Sequence, residues 1–259
     1  MTNPFASPVF KLSIKEVLRE RTWIAALVLL LVVPLFGYRL APIYEDPSIA
    51  APTRTQLAWI AAWIISVLWV NWWAASLSAA QRSRNHRTWW KGAGVSDSAY
   101  LFSLALVPIL LNVAVFGTAM AVTVFTGRGT APLAEWLTLG AQSFVAAVIG
   151  QSVITTLVVG IGNRFDAAAT FAAGVLLNIQ ALYGVLFLDR LRTDRGIVSV
   201  FADALWTITP HLNLADFTSR LTFNWGSLPT STMLILAAYL GGWLILSVGC
   251  AIGLFRYRP

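Results

Sequence analysis

Gln81-Arg82-Ser83-Arg84-Asn85-His86-Arg87-Thr88-Trp89-Trp90-Lys91-Gly92-Ala93-Gly94-Val95-Ser96-Asp97 is a basic insert between two long apolar runs. It holds four of the 18 Lys and Arg residues and a single acid, in a chain of 259 residues that is 58% hydrophobic and 11% charged. Soluble domains carry about 25% charged residues. The flanking runs reach or approach the roughly 20 residues that cross a hydrocarbon core as helix, so strands of a barrel are not needed. The chain therefore reads as an all-α integral membrane protein, one helical domain over residues 1–259. The insert has three physical explanations: a topology signal, a site for an anion, or a docking surface for a partner.

Working outward, spans are expected at about 23–40 and 56–80 before the insert. Four more are expected after it, at about 98–126, 133–161, 167–188 and 230–255. Pro108 falls inside the third of the six, where neighbouring helices can satisfy the freed backbone. Ahead of the first, Ser7 and Pro8 read as N-cap and first residue of an amphipathic helix over 7–21. Phe10, Ile14, Val17 and Leu18 share one arc of it, with Lys11, Lys15 and Arg19 on the next and Glu16 and Glu20 on a third, so it belongs in the membrane interface. Residues 189–229 are too long for a plain connector. Val198 to Trp206 reads as a short amphipathic helix there, Thr209-Pro210-His211 as its break and Leu214 to Phe223 as a second helix, both dipping into the outer interface.

Six spans put both termini on one side. Lys11, Lys15, Arg19, Arg21, Arg82, Arg84, Arg87, Lys91, Arg164, Arg256 and Arg258 lie on that side, against Arg39, Arg54, Arg128, Arg190, Arg192, Arg195 and Arg220 opposite. The positive-inside bias makes the first side cytoplasmic. A net charge of +7 is explained by this asymmetry; with no folded basic domain outside the membrane, nucleic acid is not an expected partner. Cys250 is the only cysteine, which excludes an intrachain disulfide and a cysteine metal cluster.

Catalytic signatures are missing from the sequence. There is no Gly-x-x-x-x-Gly-Lys-Ser/Thr loop for nucleotide and no His-Glu-x-x-His for zinc, and His86 and His211 both fall in loops. Every carboxylate falls in a loop or at a span end, which argues against a relay of buried acids. The polar residues inside spans are neutral: Asn71, Asn112, Gln142, Gln151, Ser152, Thr155, Thr156, Asn178 and Gln180. They read as interhelical glue or as the lining of a path, with Gly249 and Gly253 as a close-packing face. In the second span Trp59, Trp63, Trp69 and Trp73 fall within about 120° of arc and are expected to face lipid, with Asn71 facing protein. In the fifth, Gly174, Asn178 and Ala181 form a small polar face suited to close contact.

The elbow-like stretch Ser13-Ile14-Lys15-Glu16-Val17-Leu18-Arg19-Glu20-Arg21 before the first span resembles a Lys-Glu-x-x-x-x-Arg pattern. Arg87-Thr88-Trp89-Trp90 followed by Gly94-Val95-Ser96 resembles a Gly-Thr, hydrophobic, Pro-Val-Ser loop, with Arg87 in place of glycine and Gly94 in place of proline. Together with the large outer segment around Pro210, these are similar to the membrane subunit of a bacterial ABC transporter of the ABC-2 (type V exporter) class. The resemblance implies an N-terminal elbow helix at 7–21, a cytoplasmic coupling loop at 81–97 and an outer re-entrant segment at 189–229. It implies cytoplasmic ABC ATPase subunits that use ATP and Mg, with no cofactor in this chain, and a second permease copy or similar chain in the bacterial inner membrane. Membrane lipids and a periplasmic or extracellular partner complete that set.

Under the resemblance Arg82, Arg84, Arg87, Trp89, Trp90, Lys91, Lys15, Glu16 and Arg164 carry ATPase coupling. Asn71, Gly174, Asn178 and Ala181 line a pathway or dimer interface. Trp89 and Trp90 beside Lys91 read as an apolar ridge able to seat in a partner's groove. Two other readings stay open: a membrane subunit that transmits force without transporting, and a membrane-embedded lipid-modifying enzyme built on Asp189, Asp194, Asp203 and His211.

Overall fold

A computed structural model describes residues 7–40, 47–83, 90, 92, 94–127, 132–193 and 196–256. No strand occurs among these residues, and five helical stretches are long and apolar enough to cross a membrane: Ile49–Ala80, Asp97–Thr126, Leu133–Gly162, Ala167–Leu191 and Thr230–Phe255.

The first helix, α1, covers Pro8–Arg19 with Ser7 at its N-cap position. It packs on the helix Asp97–Thr126, and only the row Val9, Ser13 and Val17, spaced four residues apart, is buried. Leu18, expected on the apolar arc, is 53% exposed because the row that meets the protein is one residue wide. Arg21 turns the chain in the left-handed region, at φ 56. Helix α2 then runs over Thr22–Phe36, 15 residues or about 22 Å at 1.5 Å per residue, and a 3-10 turn Gly37–Leu40 follows.

The next span starts earlier than the expected Gln56. It consists of α3 (Pro47–Ile65), a π turn (Ser66–Val70) and α4 (Asn71–Ser83). Helix α5 covers Asp97–Thr126, capped by Ser96, whose hydroxyl accepts from Ala99 N, and it carries Pro108 without ending. Helix α6 is Leu133–Gly162. Asp166 caps α7 (Ala167–Ile179) by accepting from Ala169 N at 2.8 Å; a π turn Gln180–Gly184 leads into α8 (Val185–Leu191). Residues 196–229 contain α9 (Ile197–Ile208), a 3-10 turn Leu212–Ala215 and α10 (Thr218–Thr222), where one longer helix from Leu214 was expected. The last span is α11, Thr230–Arg256.

Helix α6 is the axis of the molecule, with α4, α5, α7 and α11 packed around it. Its glycines permit the closest approaches. A Cβ on Gly160 would lie 2.8 Å from Ala251 Cα, backbone against backbone with α11. Gly249 and Gly253, expected to form the close-packing face, have nothing within 4 Å, because α11 meets α6 through Ala251 and turns those glycines outward.

The segment 196–229 folds back along α6. Gln142 Nε2 donates to Leu228 O at 2.9 Å, and Gln142 Oε1 accepts from Leu228 N at 2.8 Å. Further along, Gly150 leaves room for the turn Leu212–Ala215: a Cβ there would sit 3.1 Å from Ala215 Cβ and 3.4 Å from Leu212 Cδ2. Gly150 follows Leu133 by 17 residues, so the turn reaches about 26 Å along α6. Tyr239 of α11 secures it by accepting from His211 N at 3.1 Å. Gln142→Ala is expected to leave both Leu228 backbone groups unpaired and to lower stability by about 1–3 kcal/mol. Limited proteolysis should then cut within residues 189–229 faster than in the parent chain, with the spanning helices still protected.

Candidate functional site: a buried amide cluster

Asn71 opens α4 directly after one π turn, and Asn178 lies in the last turn of α7 directly before the other. Single π turns inside α-helices concentrate at functional sites. Asn71 faces Gly174 of α7, and Asn178 faces Gln151 of α6. Asn71 is fully buried, and its Nδ2 donates to Val67 O at 3.1 Å. Asn178 is 1% exposed; its Nδ2 donates to Gly174 O at 3.0 Å, and its Oδ1 accepts from Gln151 Nε2 at 2.8 Å. Gly174 joins the two asparagines, since a Cβ on it would lie 3.6 Å from Asn71 Cγ. It has to be glycine because that Cβ would also lie 2.6 Å from Val158 Cγ2 on α6.

Of the residues expected to line a pathway, Asn71, Gly174 and Asn178 are thus brought together in the core of the chain, and Ala181 is fully buried in the π turn that follows. Gln151, which the sequence marks only as an amide in a span, is the residue that ties α6 to this set. Among the described residues, Asn71 Oδ1, Gln151 Oε1 and Thr170 Oγ1 have no hydrogen-bond partner. A buried polar atom left unpaired costs about 1–3 kcal/mol.

The tryptophans of this span are not a lipid-facing stripe. Trp59, Trp63 and Trp73 are 0%, 7% and 5% exposed. Trp59 Nε1 donates to Thr123 Oγ1 at 3.0 Å and its ring stacks on Phe116, which Trp63 meets edge-on at 5.2 Å. Trp69 and Trp73 both donate to Thr22 Oγ1, at 3.0 and 3.3 Å. The arc faces α5 and α2, and the indole N–H groups of Trp59, Trp69 and Trp73 pair with hydroxyls of those helices, whereas the buried Nε1 of Trp63 has no hydrogen-bond partner. Trp72, off that arc, is 45% exposed.

Of the coupling residues, Lys15 is exposed and Glu16 half-buried on α1. Arg164 Nε donates to Leu254 O at 2.6 Å, placing a cation on the carbonyl end of α11 where the helix dipole favours it. Trp90 is 5% exposed and belongs to the chain's own core, so it offers no ridge to a partner. Arg84, Arg87, Trp89 and Lys91 lie outside the described residues, as does the side chain of Arg82.

Of the candidate enzyme groups, Asp189, Asp203 and His211 are brought together around Arg192 and Trp206. Arg192 Nε pairs with Asp189 Oδ1 at 2.9 Å and Arg192 Nη1 with Asp203 Oδ1 at 3.8 Å, while its guanidinium lies 4.0 Å from the Trp206 ring centroid. His211 Nε2 contacts Trp206 O at 3.0 Å. Asp194 lies outside the described residues. Among the described residues no group of three or more His, Cys, Asp or Glu could hold a metal.

Fold and site together define an all-helical, multi-pass membrane protein with a neutral polar core. Comparison of the chain with models of protein families, with curated proteins and with solved structures finds no match.

Proposed function

We propose that this chain is the membrane-spanning permease subunit of an ATP-driven transporter similar to the ABC-2 class, an exporter rather than an enzyme. The order of elements supports the reading: an amphipathic α1 docked on α5, a run of spanning helices, and an outer segment folded back on α6 before the last span. In this reading α2 is also a span, the first of six. Its 15 α-helical residues and the four of the following 3-10 turn together rise about 30 Å, the thickness of a hydrocarbon core. Both termini then lie in the cytoplasm of a bacterial inner membrane. Two copies of the chain, or one with a similar partner, bind two ATPase subunits that hydrolyse ATP with Mg. Residues 81–97, α1 and the turn at 163–166 transmit the motion.

Affinity purification of the tagged chain in mild detergent is expected to bring down a subunit with nucleotide-binding motifs. Reversing charge at Arg84 and Arg87 should lower its recovery about tenfold, the equivalent of about 1.4 kcal/mol at the interface. Recovery of the chain alone in repeated preparations would overturn the reading. A cytoplasmic reporter fused to the C-terminus should be active, and activity of an exported reporter there would overturn the topology.

A further inference from the structure

Asn71 Oδ1, Gln151 Oε1 and Thr170 Oγ1 come from three different helices, α4, α6 and α7, and their residues are fully buried. They belong to one seam. Thr170 lies one turn before Gly174 on the face that touches Asn71, and Asn178 lies one turn after it and bonds to Gln151. Each amide has its N–H₂ group engaged by a protein oxygen, so the seam presents acceptors, together with a hydroxyl that can both donate and accept. Its described lining contains no charge. Buried polar groups without protein partners are the sites where internal water binds, making about three hydrogen bonds each. The two π turns flank the same place, and single π turns inside α-helices concentrate at functional sites.

We infer that water occupies the seam between α4, α6 and α7, hydrogen-bonding to Asn71, Gln151 and Thr170, and makes it a hydrated polar site within a single chain. The same chemistry receives uncharged hydroxyl or amide donors and rejects ions, which are offered no counter-charge. Its role as a transport route rests on the permease reading; its hydration does not.

The test is thiol accessibility in the full-length chain with Cys250→Ser as background. Thr170→Cys and, as a second position in case the first fails to fold, Asn71→Cys are treated in membranes with a small water-soluble methanethiosulfonate. Ala146→Cys, fully buried among apolar groups, is the dry control. A thiol in apolar surroundings has a raised pKa and little reactive thiolate, so seam positions should react about tenfold faster than the control or more. Labelling at the control rate overturns the inference. So does a density map that resolves ordered water elsewhere in the protein and shows none within hydrogen-bond distance of Asn71 Oδ1 and Gln151 Oε1. Fast seam labelling in a chain that captures no ATPase would keep the hydrated seam and remove the permease reading.

Discussion

Trp59→Ala is expected to destabilise the protein by about 3–5 kcal/mol, the range for emptying a fully buried indole site. The side chain is 0% exposed, stacks on Phe116 and donates to Thr123. Its removal opens a cavity between α3 and α5 and withdraws the partner of a buried hydroxyl. Trp72→Ala is the matched control. Trp72 is 45% exposed and its defined ring contact is an edge-on approach to Phe171, worth about 0.5–1.5 kcal/mol. Thermal unfolding of both variants in the same detergent should separate them clearly. Equal, small shifts would mean that Trp59 faces lipid after all.

Gly160→Leu is expected to be as damaging by the opposite mechanism. A mere Cβ at this position lies 2.8 Å from Ala251 Cα and 2.9 Å from Ala251 Cβ, so relief requires the two helices to separate. Overpacking typically costs about 1–3 kcal/mol where side chains can yield; here a backbone must move, and the cost should reach or exceed the top of that range. Folded yield by size-exclusion chromatography is expected to collapse. Gly249→Leu, at a glycine with nothing within 4 Å, should leave the folded chain within about 0.5 kcal/mol of the parent. Comparable losses for both variants would refute the α6–α11 contact described here.

These two variants also mark where sequence pattern succeeds and where it stops. Length and apolarity alone locate five spanning helices to within a few residues, except at the start of the second, because a bilayer demands continuous backbone satisfaction and helix supplies it locally. Ser7 takes the N-cap position expected of it but its hydroxyl makes no capping bond, whereas Ser96 and Asp166, for which no cap was expected, each accept from an N–H three residues on. The inward direction of Asn71 was legible. The tryptophan arc was not, since a stripe of indoles has the same periodicity whether it meets lipid or the faces of α5 and α2.

Glycine spacing misled in the same way. Gly249 and Gly253 carry the four-residue repeat of a packing motif and pack on nothing within 4 Å, whereas Gly160 and Gly174, in no such pair, sit where an added Cβ would meet a neighbouring helix at under 3 Å. The π turns beside Asn71 and Asn178 have no local signal, being concessions of one helix to its neighbours.

The sequence by itself determined that the chain is helical, membrane-spanning and without charge in its described core, because composition and the energetics of burying backbone in lipid leave no alternative. Only the tertiary structure decided that Gln151 and Asn178 bond, that Gly174 brings Asn71 to the same seam, and that residues 189–229 lie along α6. Those facts depend on how helices distant in sequence rotate and approach, and in lipid that is set by side-chain shape and hydrogen bonding across interfaces, not by any periodicity within one helix.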